Sequence, residues 1–255
     1  MIYTSYEMIR DCRANAPAGW RHFVRNYVSV VRRILAQYGT ENRLEQVLTT
    51  ISKPGSGLFQ TEPVPERPFV AELRQQVIRE LEPAPPLLGL ELGALSEALE
   101  PFTLVEKQAT WLETMCYTSV ETGEMLRMSA TTVEKIRSRA GELIRGQVDN
   151  WNARLLPDNG RKLGREAAAR RGDECLPAKT FLDIVDGRMA WRGREEMEQH
   201  VHGCWHCIDH FCRLLEVVEL VRGLRPLTEE EAAPFDKLLG IGPAKKSGWR
   251  KFLGA

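Results

Sequence analysis

Apolar residues recur every three or four positions along most of this 255-residue chain, which is the period of an amphipathic α-helix. The pattern predicts helices at residues 20–38, 44–51 and 69–81 in the N-terminal third. Strand-like alternation does not persist over any segment, and no internal repeat is visible. We therefore expect an all-α protein.

Proline and glycine clusters separate the helical segments. Residues 53–57 are typical of a loop, and the prolines of segment 83–86 indicate an extended linker, because each fixes φ and disfavours helix at the residue before it. These breaks predict the following organisation: a helical domain at 1–82, a linker at 83–98, a helix-turn-helix domain at 99–150, a basic linker at 151–172, a metal-binding domain at 173–225 and a tail at 226–255.

Three short helices are predicted at 104–115, 120–126 and 130–144, with Ser129 placed to cap the third. Inward-facing apolar positions of the third helix leave a polar face, formed by Thr131, Thr132, Glu134, Lys135, Arg137, Ser138 and Arg139. Such a face suits a recognition helix, whose first residues meet base edges in the major groove and whose cations meet phosphates. An ordinary solvated helix remains the alternative.

The spacing Cys175-x24-His200-x3-Cys204-x2-Cys207 gathers four good zinc ligands into a helical segment. A Cys₃His set can close a tetrahedral Zn²⁺ site completely, so we predict a structural site. Gly203 is expected to end one helix, and Cys204 to Cys207 to open the next, where the helix dipole favours thiolate.

Two other interpretations of these cysteines stay open: a thiol redox pair at Cys204 and Cys207, or inert core residues. No βαβ pattern of the kind that a thioredoxin-like pair needs surrounds them. The fourth ligand is the least determined, because other donors lie close by, namely His202, His206, His210 and Cys212. Cys175 is expected to come from a separate helix. An apolar stripe follows at helical spacing, formed by Phe211, Leu214, Leu215, Val218 and Val221.

Composition and charge limit the kinds of partner and cellular location that we expect for this chain. The formal net charge is zero, so nucleic-acid binding must come from local clusters such as 161–171, or from the mixed basic and aromatic tail at 245–252. A solvated linker is at least as good an interpretation of 161–171, and a mobile terminus is the favoured interpretation of 245–252. Six irregularly spaced cysteines fit a reducing compartment. No apolar run approaches about 18 residues and no signal segment opens the chain, so we expect a cytoplasmic protein without a membrane span.

The ligand spacing within residues 173–224 resembles the zinc-binding anti-sigma domain of bacterial transcription regulators. The resemblance implies a small zinc-pinned helical bundle that masks a sigma factor, and in some members oxidation forms a disulfide among the ligands and releases zinc.

Residues 118–133, followed by Arg137-Ser138-Arg139-Ala140, resemble region four of the extracytoplasmic-function sigma factors, which reads the upstream promoter element. The N-terminal domain is similar, more weakly, to region two of that family, which binds the polymerase clamp and melts promoter DNA. Asn42 and Glu45 stand where an Asp-x-x-Gln pair commonly contacts polymerase, and Glu72 replaces an expected Trp.

The resemblances together imply a bacterial transcription regulator of the extracytoplasmic-function sigma type, with RNA polymerase core and promoter DNA as partners. We expect its fused zinc domain to contact the sigma-like domains and to modulate them, with metal loss or thiol oxidation as the release. A degenerate sigma-like interaction module without promoter recognition is the alternative. A thiol oxidoreductase is a third option, but neither a catalytic Ser/His/Asp order nor a phosphate-binding glycine loop supports an enzyme.

Overall fold

The computed structural model describes residues 3–53, 55–60, 62–81, 90–148, 152 and 154–242. Within these ranges every regular element is a helix, which confirms the all-α prediction. The α-helices are α1 (Ser5–Arg13), α2 (Pro17–Gln37), α3 (Leu44–Ile51), α4 (Glu66–Glu80), α5 (Leu92–Ala98), α6 (Leu104–Thr114), α7 (Ser119–Leu126), α8 (Ala130–Arg145), α9 (Leu155–Ala169), α10 (Ala178–Val185), α11 (Trp191–Gly203), α12 (Trp205–Arg222) and α13 (Glu229–Leu238). Short 3₁₀ turns occupy Glu41–Arg43 and Gly57–Phe59.

The chain forms two compact units, one from residues 1–80 with 223–255 and the other from residues 81–222. In the order of the chain, the second unit is therefore inserted between α4 and α13 of the first. No helix among the described residues is long and apolar enough to cross a lipid bilayer.

The first unit is built around α2, which the sequence pattern predicted at residues 20–38. The helix begins three residues earlier, because Pro17 is suited to a first helical turn. Phe23 and Tyr27 of α2 are buried and meet Phe69 of α4, with ring centroids 6.5 Å and 4.9 Å apart. Gly19 lets α1 approach closely, since a Cβ there would lie 2.6 Å from the Cys12 nitrogen.

The segment predicted as a tail, 226–255, contains a helix that the hydrophobic pattern did not predict. Thr228 accepts a hydrogen bond from the Glu231 nitrogen and starts α13. Ala232 and Phe235 are buried, and α13 packs on α2 and α3. The pattern missed this acidic helix because only a few apolar positions mark it. The basic and aromatic stretch at 245–252 lies outside the described residues.

The second unit begins with another departure from the predicted boundaries. The proline cluster at 83–86 lies outside the described residues, but the end of the predicted linker forms α5, with Leu92, Leu95 and Ala98 buried. The predicted basic linker at 151–172 forms α9 instead. Its charged residues hid a buried apolar face, which consists of Leu155, Leu156, Leu163 and Ala167.

The three helices of the predicted helix-turn-helix are present as α6, α7 and α8. Thr103, Thr118 and Ser129 each accept a backbone hydrogen bond at a helix start, and the Ser129 cap was predicted. Arg127 ends α7 with a positive φ of 57°, which turns the chain toward α8. A single apolar core runs from α5 through these helices to α12, so the predicted helix-turn-helix and metal-binding segments share one structural unit.

Candidate metal centre

The four predicted ligands converge. Their donor atoms all lie within 4.8 Å of one another, in the set Cys175, His200, Cys204 and Cys207. The Sγ atoms of Cys175 and Cys204 are 3.8 Å apart, and Nε2 of His200 lies 3.3 Å from Sγ of Cys207. The group could therefore hold a metal ion.

Local structure explains how α11 and α12 present three of these donors. His200 lies in the last turn of α11, Cys204 adopts an extended conformation with φ −116° and ψ 102°, and Cys207 lies in the first turn of α12. The extended residue separates two helices that would otherwise be continuous. The predicted break near Gly203 is thus confirmed.

Cys175 comes from a turn ahead of α10, and not from a helix as predicted. Its nitrogen donates to the Gly172 carbonyl at 3.1 Å, and the Gly172 nitrogen lies 3.3 Å from its Sγ atom. The two hydrogen bonds fix the turn and direct the sulfur toward the other donors. A turn supplies this ligand because Pro177 caps the start of α10 only two residues later.

The thiol of Cys207 is fully buried. Burial raises its pKa to about 12, with smaller increases from Cys204 and Cys175 and an opposing hydrogen bond from the Leu176 backbone. Burial at this position therefore favours the protonated thiol, and the prediction that the helix dipole favours thiolate here is wrong for Cys207. Because metals bind the thiolate, an ion that enters must displace protons, and its affinity should rise with pH.

The other nearby donors have different partners. His202 Nε2 lies 2.8 Å from the Phe102 carbonyl oxygen, and the His210 ring packs edge-on against Phe181 with centroids 5.2 Å apart. Cys212 is fully buried, and burial raises the pKa of its thiol. Among the described residues, the donor cluster is the predicted set and includes none of these side chains.

Buried polar contacts join residues 200–207, which we call the donor segment, to α5 and α6. Lys107 of α6 is only 5% exposed and donates from Nζ to the His202 carbonyl at 3.0 Å. Trp205, between two of the ligands, donates to Ser96 Oγ at 2.8 Å, and its ring centroid lies 5.3 Å from that of Trp111. The donor segment is thus connected to α5 and α6 through residues that lie beside the candidate ligands.

Two buried acids on α12 extend this connection, and sequence reasoning missed both. Trp111 Nε1 donates to Asp209 at 3.1 Å, and the Tyr117 hydroxyl donates to Glu216 at 2.8 Å. The predicted apolar stripe on α12 is only half-buried. The buried face instead consists of Trp205, Cys207, Ile208, Asp209, Cys212, Glu216, Val217 and Leu220. Because two of these positions are acidic, the buried face gave no clear periodic signal.

The predicted DNA-reading positions lie on α8. Six of them are exposed, namely Thr131, Thr132, Glu134, Lys135, Ser138 and Arg139. Arg139 pairs with Glu106 at 3.0 Å, and its guanidinium lies 4.7 Å from the centroid of the Phe102 ring. Lys135 and the hydroxyl residues near the start of α8 are therefore placed where a ligand could reach them.

Arg137 is the exception, because its side chain is only 14% exposed. It donates to the Tyr117 carbonyl at 2.8 Å and to Thr122 Oγ1 at 2.9 Å, and lies 3.5 Å from Glu113. In the structure this guanidinium holds α8 against the segment around α7. Helical periodicity alone could not reveal that inward orientation.

Asn42 and Glu45 belong to the first unit, where both are exposed. Asn42 lies in the 3₁₀ turn at Glu41–Arg43, and Glu45 lies in the first turn of α3. Glu72 of α4 pairs with Arg79 at 2.8 Å.

Comparisons with known protein families, with curated proteins and with solved structures found no match for this chain.

Proposed function

We propose that the chain is a bacterial transcription regulator of the extracytoplasmic-function sigma type, with a structural zinc centre built into its promoter-reading unit. The observation that carries the proposal is the convergence of three cysteines and one histidine beside α6 of the helix-turn-helix. The resemblance of residues 118–140 to sigma region four supports the promoter-reading role. The proposed role is not enzymatic.

Zinc suits the donor geometry. With Zn–S bonds of about 2.3 Å, two sulfurs of a tetrahedral site lie about 3.8 Å apart. The Cys175 and Cys204 sulfurs are 3.8 Å apart. With four protein donors the coordination sphere is complete, so the ion would stabilise the fold and leave no open position for catalysis.

The exposed face of α8 supports promoter contact. Thr131 and Thr132 lie at the start of the helix, where hydroxyls can meet base edges, and Lys135 follows one turn later as a phosphate contact. Arg137 is assigned a structural role in this proposal because its donors bond within the helix-turn-helix.

Zinc would influence this face through the shared core. Lys107 of α6 donates to the donor segment, Trp111 of α6 packs on Trp205 of that segment, and α6 packs against α8. Loss of the ion, or oxidation of Cys175 and Cys204 to a disulfide by a peroxide, would weaken the packing of α6 against α8. This proposal includes RNA polymerase core and promoter DNA as partners and a cytoplasmic location.

Zinc content and promoter use test the proposal. Cys207→Ala should lose bound zinc, whereas the matched buried-cysteine variant Cys12→Ala should retain it; atomic emission measures both. DNA fragments are selected from a pool with the zinc-loaded protein bound to purified polymerase core, and the selected fragments should bind this complex. Lys135→Ala should weaken that binding, whereas Lys179→Ala on α10 should not. Full zinc content in Cys207→Ala would contradict the zinc centre, and absence of any selected DNA would contradict promoter recognition.

A protein-interaction module without promoter recognition is the second candidate. A groove of about 590 Å³ between α6, α7 and α10–α12 favours it, because apolar side chains such as Val105, Leu126, Phe211 and Leu215 line its walls. In that case the protein would bind polymerase core, but the selection would enrich no DNA fragment. The same selection experiment separates the two candidates.

A further inference from the structure

Helix α2 carries a polar stripe on the side away from its core. Arg21, Arg25, Ser29 and Arg32 follow one another at intervals of four, four and three residues, which places them along one face. We call this set the arginine stripe. Three guanidinium groups over about 16 Å of helix form a concentrated positive surface.

Helix α13 lies on the arginine stripe. Glu229 pairs with Arg25 at 3.0 Å, and the guanidinium of Arg32 lies 5.8 Å from the centroid of the Phe235 ring. The backbone just before α13 also contacts α2, since the Leu227 nitrogen donates to the Arg25 carbonyl at 2.8 Å. The first turn of α13 is acidic, with Glu229, Glu230 and Glu231. Charge complementarity thus matches the two helices.

A cleft that is open to solvent lies at the side of this contact. Its volume is about 410 Å³, and it is lined by Arg21 and His22 of α2 and by Glu229 and Asp236 of α13. The side chain of Glu229 is 89% exposed, and ion pairs of such exposed groups contribute little to stability. Few apolar side chains of α13 are buried, chiefly Ala232 and Phe235. The contact is therefore suited to exchange with another occupant.

We propose that the arginine stripe is a docking surface for an acidic amphipathic helix of a partner protein, and that α13 covers it as an intramolecular occupant. Within the arginine stripe, Arg25 binds a carboxylate and Arg32 contacts an aromatic ring. A phosphate backbone would use the cations but not the apolar contacts around Phe235 and Ala232. A protein helix uses both. The proposal does not depend on zinc or on promoter recognition.

The test uses the full chain and a fluorescent peptide of residues 224–242. In the unaltered protein α13 competes in cis at an effective concentration of about 1 mM, so the peptide should bind weakly. Ala232→Glu places a charge in the buried contact and should release α13. Peptide binding, measured by anisotropy, should then tighten at least about tenfold. Phe235→Ala is a second release variant, and circular dichroism checks that each variant loses no more helix than α13 accounts for.

Charge reversal identifies the surface. Adding Arg25→Glu to the release variant replaces the ion pair with repulsion from the acidic first turn of the peptide and should weaken binding about tenfold, whereas Arg10→Glu on the exposed side of α1 should leave it unchanged. In the otherwise unaltered chain, Arg25→Glu should speed hydrogen exchange in α13. Release variants that bind the peptide no better than the unaltered protein would overturn the proposal. Displacement of the peptide by duplex DNA at equal or lower concentration would reassign the stripe to phosphate.

Discussion

Removal of the proposed zinc ion should destabilise α6 as well as the segment that supplies the candidate ligands. Lys107 and Trp111 of α6 are almost fully buried and bond to the last turn of α11 and to α12, respectively. If the donor cluster loosens, these polar groups lose their partners inside the core. The perturbation is chelation of the holoprotein, with Cys207→Ala as its genetic counterpart.

The size of the effect follows from mass action. At free zinc about 1,000-fold above the dissociation constant, binding stabilises the folded unit by about 4.1 kcal/mol. For a domain of roughly 150 residues this corresponds to a fall in Tm of about 8–16 °C when the metal is removed. The four ligands all belong to the second unit, so unfolding of the first unit should not shift.

Hydrogen exchange with mass spectrometry is the assay. With chelator, amides of α6 and α12 should lose protection together, while those of α2 stay unchanged. Cys12→Ala, a buried cysteine outside the cluster, is the matched control. Loss of protection confined to α10–α12, with α6 unaffected, would refute the reasoning from the shared core.

Three further predictions concern individual contacts. Tyr117→Phe removes the hydrogen bond to buried Glu216 and should lower the free energy of unfolding by about 1–3 kcal/mol in urea titrations; an unchanged midpoint would show the bond to be unimportant. Gly160→Ala places a Cβ against the Thr114 carbonyl oxygen of α6, and should cost at least about 1–3 kcal/mol by calorimetry; unaltered stability would contradict the close helix crossing. Hydrogen bonding to the Thr228 backbone holds the pKa of Glu231 below its ordinary 4.5. The stabilisation of α13 by the Glu231 carboxylate is therefore complete above pH 4.5 and is lost as the pH falls through the lowered pKa. An NMR titration that gives a Glu231 pKa of 4.5 or higher would disprove this prediction.

Much of the local structure could be predicted from the sequence. Helical periodicity located α2, α3 and α4, and the hydroxyl of Ser129 marked the start of α8. The Cys/His cluster that could hold a metal ion was predicted because metal coordination requires particular donors and leaves a recognisable spacing. These signals are local, or depend on chemistry that few residue types can perform.

The remaining features depend on contacts between distant parts of the chain. Asp209 and Glu216 are buried because Trp111 and Tyr117, 98 and 99 residues earlier in the chain, donate to them. No pattern within α12 predicts those partners. Helix α9 is an exception, since its buried positions do recur at helical spacing but lie among cations that favoured the interpretation as a linker.

The order of helices in the first unit has a consequence for synthesis on the ribosome. Helix α13 follows α2 by more than the whole length of the inserted unit, so the arginine stripe emerges long before its cover is translated. At about 5–20 residues per second, this interval lasts about 10–40 s. During that time a nascent chain presents bare guanidinium groups to acidic proteins around the ribosome, a vulnerability that the finished molecule no longer has.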